Sequence, residues 1–511
     1  MRLIAFALAG LFTLSAAAQV REDLTVEVVE VPVYVTSGNS KPVLGLSRDA
    51  FELFVDGHRQ PIDYFDAVDF ATVPAPSAGQ PVVERPRRER RLYLLLFDLS
   101  FATPAKIKRA QRAAEQSVAH SNPATDFFAV ATYSSNKGVQ FISPFLADRV
   151  AIMRAIFTLR SGSAQDPLGV ALSSPERAQW ATAMEQGGSA EGLSSFLGDE
   201  VIDMLRGGQA NQDMLAIPGN HLIEYQLTAL GEVAARLSAI EGQKHLLIFT
   251  EGFDSTRITD IKANGRPPNL DAHMLNLVKE MHETFVSAGV TLDSIDIQGL
   301  RHTFSSLDND ALFLLSRGTG GRVIVNRNDL GEAVDTIMQT QRAVYVLGFH
   351  SAGRKRGRIS VRVKGLPHGS EVSFREGFGY VPRAPDVDAL QLADILLNDV
   401  PQAGVTLEAG VTTDGGVAVV AVAFSRAEVV PQLVDSSPNV EILIYVLDEH
   451  GAAVGFKSKR LSLTGPARVP TGYLTLRERF DLTKGKYTTK ILMRVAGTHA
   501  LGFVRRDFTV E

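Results

Sequence analysis

Leu92-Tyr-Leu-Leu-Leu-Phe97 runs directly into Asp98-Leu-Ser-Phe-Ala-Thr103-Pro104. An unbroken apolar run of this length fits a strand covered on both faces, as in a parallel sheet. Thr103 suits a helix N-cap and Pro104 suits the first helical turn, where its missing N–H costs nothing. Ile107, Ala110, Ala114 and Val118 then keep helical spacing. The same alternation continues outward. Phe127 to Tyr133 and Val139 to Ile142 read as strands, and Asp148 opens a helix with Ile152, Ile156 and Leu159 inward. Further on, strands are expected at His245–Thr250, Val290–Asp296, Arg322–Val325 and Ala343–Phe349. Helices lie between them, through Leu227, Leu230 and Leu237, then Met274, Met281 and Phe285, then a short one, then Leu330 to Met338. Repeated strand–helix units predict an α/β domain with a mostly parallel sheet and helices on both faces.

The flanks differ in character. Residues 1–18 carry Arg2, an apolar run from Leu3 to Leu14 and small residues to Ala18. That pattern predicts a cleaved signal peptide, hence an exported protein, periplasmic or extracellular. No later stretch is long and apolar enough to suggest a transmembrane span. Residues 19–70 form an N-terminal β unit, with Leu24 to Val35 alternating and Asp56-Gly57 as a hairpin turn. Residues 71–91 have linker composition, with Pro74, Pro76, Pro81 and Pro86 before Arg87-Arg-Glu-Arg-Arg91, arginines expected in solvent. The α/β domain is assigned to 92–350, interrupted by a Gly-, Ser- and Gln-rich insertion at 161–219 that holds Trp180 and enters on the face of the candidate site. Residues 351–382 read as a β-hairpin extension, whose basic run Arg354 to Arg358 is expected at a solvated tip. Residues 386–511 open with a short helix and continue as a β-sandwich of immunoglobulin-like strand spacing.

Composition narrows the chemistry. The chain has 511 residues and no Cys, so disulfides, Cys-ligated zinc, iron–sulfur clusters and thiol catalysis are excluded. Lys plus Arg is 52 against 57 for Asp plus Glu, a balance that argues against a general nucleic-acid binder. The 11 His form no H-E-x-x-H pattern, and neither a nucleophile elbow nor a phosphate loop occurs. His282 is expected on the surface of its helix, and Gly318-Thr-Gly-Gly321 is read as a helix stop. No catalytic residue is assigned.

Ligands of open parallel sheets sit at the carboxyl ends of strands. Two such ends stand out: Asp98-Leu-Ser100 and Thr250-Glu-Gly252. With these residues the chain resembles the von Willebrand factor A family, which carries D-x-S-x-S after its first strand and T-D-G after its fourth. Phe145 to Arg149, Gly242 to Gly252, Ser287 to Leu300, Thr319 to Arg322, Asp49 to Gly57, Tyr345 to Phe349 and Glu376 to Tyr380 look like exported A-domain-related proteins abundant in Acidobacteria. The resemblance covers about residues 24 to 382 and implies a Rossmann-like A domain. It also implies a metal-ion-dependent adhesion site, with Asp98, Ser100 and Glu251 as oxygen ligands for Mg²⁺ or Ca²⁺. This chain departs from the pattern: the third position is Ala102, and the aspartate of T-D-G is Glu251. The family's threonine ligand would fall where the insertion enters, near Ser163. Two readings follow. Either the three residues hold a weakened divalent site, or the site is vestigial, with Asp98 accepting backbone N–H groups and Glu251 solvated. The expected function is binding of a protein or cell-surface ligand at the top face. A secreted hydrolase with an unrecognised site and a structural scaffold of the envelope are the alternatives.

Overall fold

The computed structural model describes residues 28–73, 89–100, 102–159, 219–253, 259–260, 269–270, 272–300, 310–379, 387–433, 439–463 and 472–511. The expected signal peptide, most of the linker, and the insertion up to residue 218 with Ser163 and Trp180 lie outside these residues.

The apolar run becomes β5 (Arg91–Asp98), every residue of it buried. Around it a six-stranded sheet takes the order β12-β11-β8-β5-β6-β7. Its members are β6 (Asp126–Ser134), β7 (Gly138–Leu146), β8 (Gln243–Thr250), β11 (Val290–Asp296) and β12 (Val323–Ile324). All neighbours are parallel except β6 and β7. The residues of β5 alternate between two cores. Tyr93, Leu95 and Phe97 face α1 (Pro104–His120), α2 (Arg149–Thr158) and α6 (Leu330–Thr340). Leu92, Leu94 and Leu96 face α3 (Gly219–Leu237), α4 (Ala272–Ala288) and α5 (Asp310–Ser316). Each such buried side chain contributes about 1.5–3 kcal/mol of transfer free energy, and a charge is accommodated on this sheet only where it is paired or hydrogen-bonded, as at Arg91 with Asp126. A small ladder, β9 (Thr259–Asp260) with β10 (Asn269–Leu270), lies between β8 and α4.

The last strand read into the α/β pattern belongs elsewhere. β13 (Ala343–His350) pairs antiparallel with β1 (Val28–Thr36) and β4 (Tyr64–Asp69), and β15 (Glu371–Phe374) completes that sheet. A second sheet holds β2 (Phe51–Val55), β3 (His58–Gln60), β14 (Gly357–Val363) and β16 (Gly377–Phe378). The two sheets share one core, through Val33, Leu53, Leu347, Ile359 and their neighbours. The N-terminal β unit and the hairpin extension are thus two halves of one β module. The α/β domain is inserted between β4 and β13.

The linker reading fails for Arg90 and Arg91, which are each only 5% exposed. Arg90 donates to both carboxylate oxygens of Asp394, at 2.5 and 3.1 Å. Asp394 lies on α7 (Ala389–Asn398), whose start is capped by Asp388 and whose end is Asp399 at φ 51°. Leu390, Leu392, Ile395 and Leu396 of α7 join the core beneath β5, together with Tyr445, Leu447 and Leu492. The C-terminal module is therefore packed onto the α/β domain through this helix.

That module contains a three-stranded antiparallel sheet, β17 (Leu407–Asp414), β18 (Val417–Ser425) and β21 (Tyr473–Asp481). A four-stranded sheet is formed by β20 (Ala453–Leu461), β19 (Val440–Asp448), β22 (Gly485–Val495) and β23 (Leu501–Val510). Val420, Val422, Ile442, Ile444, Ile491 and Met493 meet in a single core between them. The sequence predicts six strands there, Val417–Phe424, Val440–Leu447, Phe456–Leu463, Tyr473–Phe480, Tyr487–Val495 and Phe503–Val510, and β17 is not among them. It is short of apolar residues, with Thr412, Thr413 and Asp414 on its exposed end. Among the described residues, no helix is long and apolar enough to cross a membrane.

Candidate functional site

β5 and β8 are adjacent parallel strands, and the chain leaves β5 toward β6 on the other side. Their carboxyl ends therefore flank the topological switch point, where open sheets leave a crevice. Asp98 closes β5 and Thr250 closes β8, which brings together the two loops singled out in the sequence.

Asp98 is completely buried. Its Oδ1 accepts the backbone N–H of Ser100 at 3.1 Å. Its Oδ2 accepts the Thr250 hydroxyl at 2.6 Å and the Gln226 amide at 2.8 Å. Donors aimed at an ionised acceptor make the stronger class of hydrogen bond and are what a buried carboxylate requires. Nearby, burial and then the charge of Asp98 push the Tyr133 phenol up. The Ser100 hydroxyl accepts the backbone N–H of Ser135 at 2.6 Å, tying the loop after β5 to the end of β6. Thr250 is used twice, since its hydroxyl also accepts the N–H of Gly252 at 2.9 Å.

Glu251 faces the start of α1. Thr103 is the N-cap residue, as expected, but its side chain makes no capping bond. Instead, Glu251 Oε1 accepts the Thr103 N–H at 2.8 Å, and Oε2 is ion-paired with Lys106 Nζ. A carboxylate at a helix N-terminus is favoured by the helix dipole. Glu251 is thus paired, not solvated. Gln298, after β11, donates to the Glu251 carbonyl at 2.9 Å. Arg109 of α1 in turn donates to the carbonyl of Asn328 at 2.6 Å and to that of Arg327 at 3.0 Å. Gly299 has φ +90°, and a Cβ there would come within 2.4 Å of the Arg109 guanidinium.

The structure brings Asp98, Ser100 and Glu251 to one end of the sheet, around the same loops. Gln226, Lys106, Gln298 and Arg109 were missed. Two carried a signal. Gln226 interrupts an apolar helical stripe of Ile223, Leu227 and Leu230, and a polar residue there needs a buried partner. Lys106 sits in a helix's first turn, where a cation opposes the dipole unless paired. Gln298 and Arg109 carried none. Among the described residues, no group of three or more His, Asp or Glu is placed to hold a metal ion. The donor set does not suit a tight octahedral ion: both oxygens of Glu251 and both of Asp98 already take protein donors, and Ala102 offers no oxygen.

His282, expected on the surface, is half-buried. Its Nε2 lies 2.8 Å from the Leu314 carbonyl and 3.1 Å from that of Leu315, at the end of α5, and burial holds its pKa below the ordinary value. It is a helix-end contact. Gly318 and Gly320 do stop α5, with positive φ, and at Gly321 a Cβ would collide with the Leu292 carbonyl.

No protein-family model and no curated protein matches the chain. Among solved structures it is similar to manganese-loaded TRAP protein of Plasmodium vivax, at 13% identity and TM-score 0.27, covering 62% of this chain and 98% of that one. It is similar to BatB of Bacteroides thetaiotaomicron at 10% identity and TM-score 0.25, covering 49% and 98%. Proximal thread matrix protein 1 of the mussel byssus gives 14% identity and TM-score 0.26. There the overlap is 50% of this chain and 48% of that one, about half the length of each.

Proposed function

We propose that this chain is an exported binding protein of the von Willebrand factor A type, which engages a protein or cell-envelope ligand through the top face of its α/β domain. One observation carries the reading: Asp98 and Glu251, the residues that resemble the family's site, lie at adjacent strand ends on the switch-point crevice. Leu300 stands 59% exposed in the loop after β11 at the same end, an apolar contact for a partner. The signal-like first 18 residues support export to the periplasm or the exterior. The strand spacing of residues 386–511 supports an immunoglobulin-like C-terminal module, and the motifs quoted above support kinship with the acidobacterial type. Mg²⁺ or Ca²⁺, were it to enter, would take Asp98, Ser100 and Glu251 as ligands. The present donor set favours binding by shape and polar contacts without it.

The test is affinity capture from the cell-envelope fraction with the wild-type chain and with a Leu300→Arg/Glu251→Gln variant whose melting temperature is checked first. A partner held by the wild type should be lost from the variant by tenfold or more, equivalent to about 1.4 kcal/mol. An identical partner set in both would move the binding surface away from the top face.

A further inference from the structure

The residues at this site do not suit a divalent ion, yet they place a cation at one of its three expected ligands. We propose that the Lys106 ammonium is the resident cation of the top face, standing at the Glu251 carboxylate where a metal would otherwise sit and making the face independent of metal. The inference rests on the binding reading above only for the role of the face; its chemistry stands on the chain alone.

Lys106 occupies the first turn of α1, the helix that starts immediately after the Asp98 loop. A cation there faces the positive end of the helix dipole, an unfavourable place when unpaired. Glu251, from the end of β8, reaches across and pairs with it. The pair is shielded, with the Lys106 side chain 33% exposed and that of Glu251 17%. The second oxygen of Glu251 holds the Thr103 N–H, so one carboxylate joins the ends of β8 and α1. A bridging ion would perform the same work: neutralising a carboxylate while cross-linking the loops after two strands. The rest of the site follows this arrangement. Asp98 is satisfied by Ser100, Thr250 and Gln226, and position 102 is Ala, where a metal ligand would have little use once the ammonium is in place. An ion entering would have to break the Lys106–Glu251 pair and strip donors from Asp98. Small divalent ions also surrender their waters reluctantly.

The experiment uses the purified chain, with calorimetry and thermal unfolding in EDTA and in millimolar Mg²⁺, Mn²⁺ or Ca²⁺. The wild type is expected to show no binding heat and no metal-dependent shift. Lys106→Arg, which keeps the charge, should behave in the same way. Lys106→Met combined with Ala102→Ser frees Glu251 and restores the missing oxygen. That variant should melt lower in EDTA and regain about 5 °C in a saturable manner at a hundredfold excess of metal over its dissociation constant. Metal binding by the wild type would overturn the proposal. So would indifference to metal in the double variant, provided it still melts cooperatively. Neither result depends on any partner, so a failure of the binding reading would be seen separately in the capture experiment.

Discussion

Truncating Arg91 to alanine is expected to destabilise the protein by about 3–5 kcal/mol, the cost of leaving a buried carboxylate without its counter-charge. Arg91 grips Asp126 in a fork, Nε to Oδ1 and Nη2 to Oδ2, both at 2.8 Å. The side chains are 7% and 0% exposed, so solvent screens the pair little. The guanidinium also donates to the carbonyls of Met338 and Gln341 at the end of α6, and it lies 5.0 Å over the Phe70 ring, which follows β4. One side chain thus binds the inserted α/β domain to the β module that carries it. Asp126 keeps other donors, from Thr125 and the Asn122 N–H, but these are neutral. Urea unfolding checks the point. Asp126→Ala should lose a similar amount, and Arg91→Met with Asp126→Leu should lose clearly less than the two single changes combined, because no orphan charge remains. A loss under 1 kcal/mol for Arg91→Ala would show the pair to be dispensable.

Acid should weaken the same junction. His245 on β8 is wholly buried, stacked 5.2 Å from Tyr93, with its Nε2 3.3 Å from the Tyr34 hydroxyl of β1. Burial, and secondarily the charge of Arg91, hold its pKa down at about 3 from an ordinary 6.5. Between those values the unfolded chain binds a proton that the folded chain refuses. The stability contributed by neutral His245 is therefore complete above pH 6.5 and is lost progressively as pH falls toward 3. At pH 4.5 the loss amounts to about 3 kcal/mol. Asp293, on the neighbouring strand β11, works in the opposite sense. Burial raises its pKa from 3.8 to about 6, against the bonds from the Arg322 N–H and the Gln341 amide. Its folded form takes up the proton first, so acidification from pH 6 to 3.8 adds stability from this group and offsets part of the histidine's loss. Comparing unfolding at pH 7.5 and 4.5 separates them. His245→Phe should be less acid-sensitive than wild type, and Asp293→Asn more so. Equal acid sensitivity in His245→Phe and wild type would refute the role given to His245.

Much of the α/β architecture was legible because burial on both faces leaves an unmistakable run, as in Leu92 to Phe97. Helical spacing also separates the two cores cleanly. The strand ends were legible for the same reason: Asp98 and Glu251 break apolar runs at places where a buried strand emerges. What the one-dimensional pattern could not carry was pairing. Ala343 to Phe349 has the composition of a parallel-sheet strand, and nothing local says that its partners lie in Val28 to Val33, more than 310 residues away. The arginines at 90 and 91 resembled a solvated linker because their acidic partners, Asp394 and Asp126, are distant in sequence. Likewise Lys106 and Glu251 are separated by 145 positions.

Composition and periodicity already exclude thiol chemistry, place a mostly parallel sheet at the centre and bring two acidic strand ends to its top. These are properties that each residue carries with it. That the α/β domain is inserted into a β module made from both its flanks is visible only in the folded chain. The tertiary structure alone decided that Asp98 is consumed by neutral donors and that Glu251 meets an ammonium. Charge compensation and strand pairing are properties of distances between residues far apart in the chain, and those distances exist only once the chain has folded.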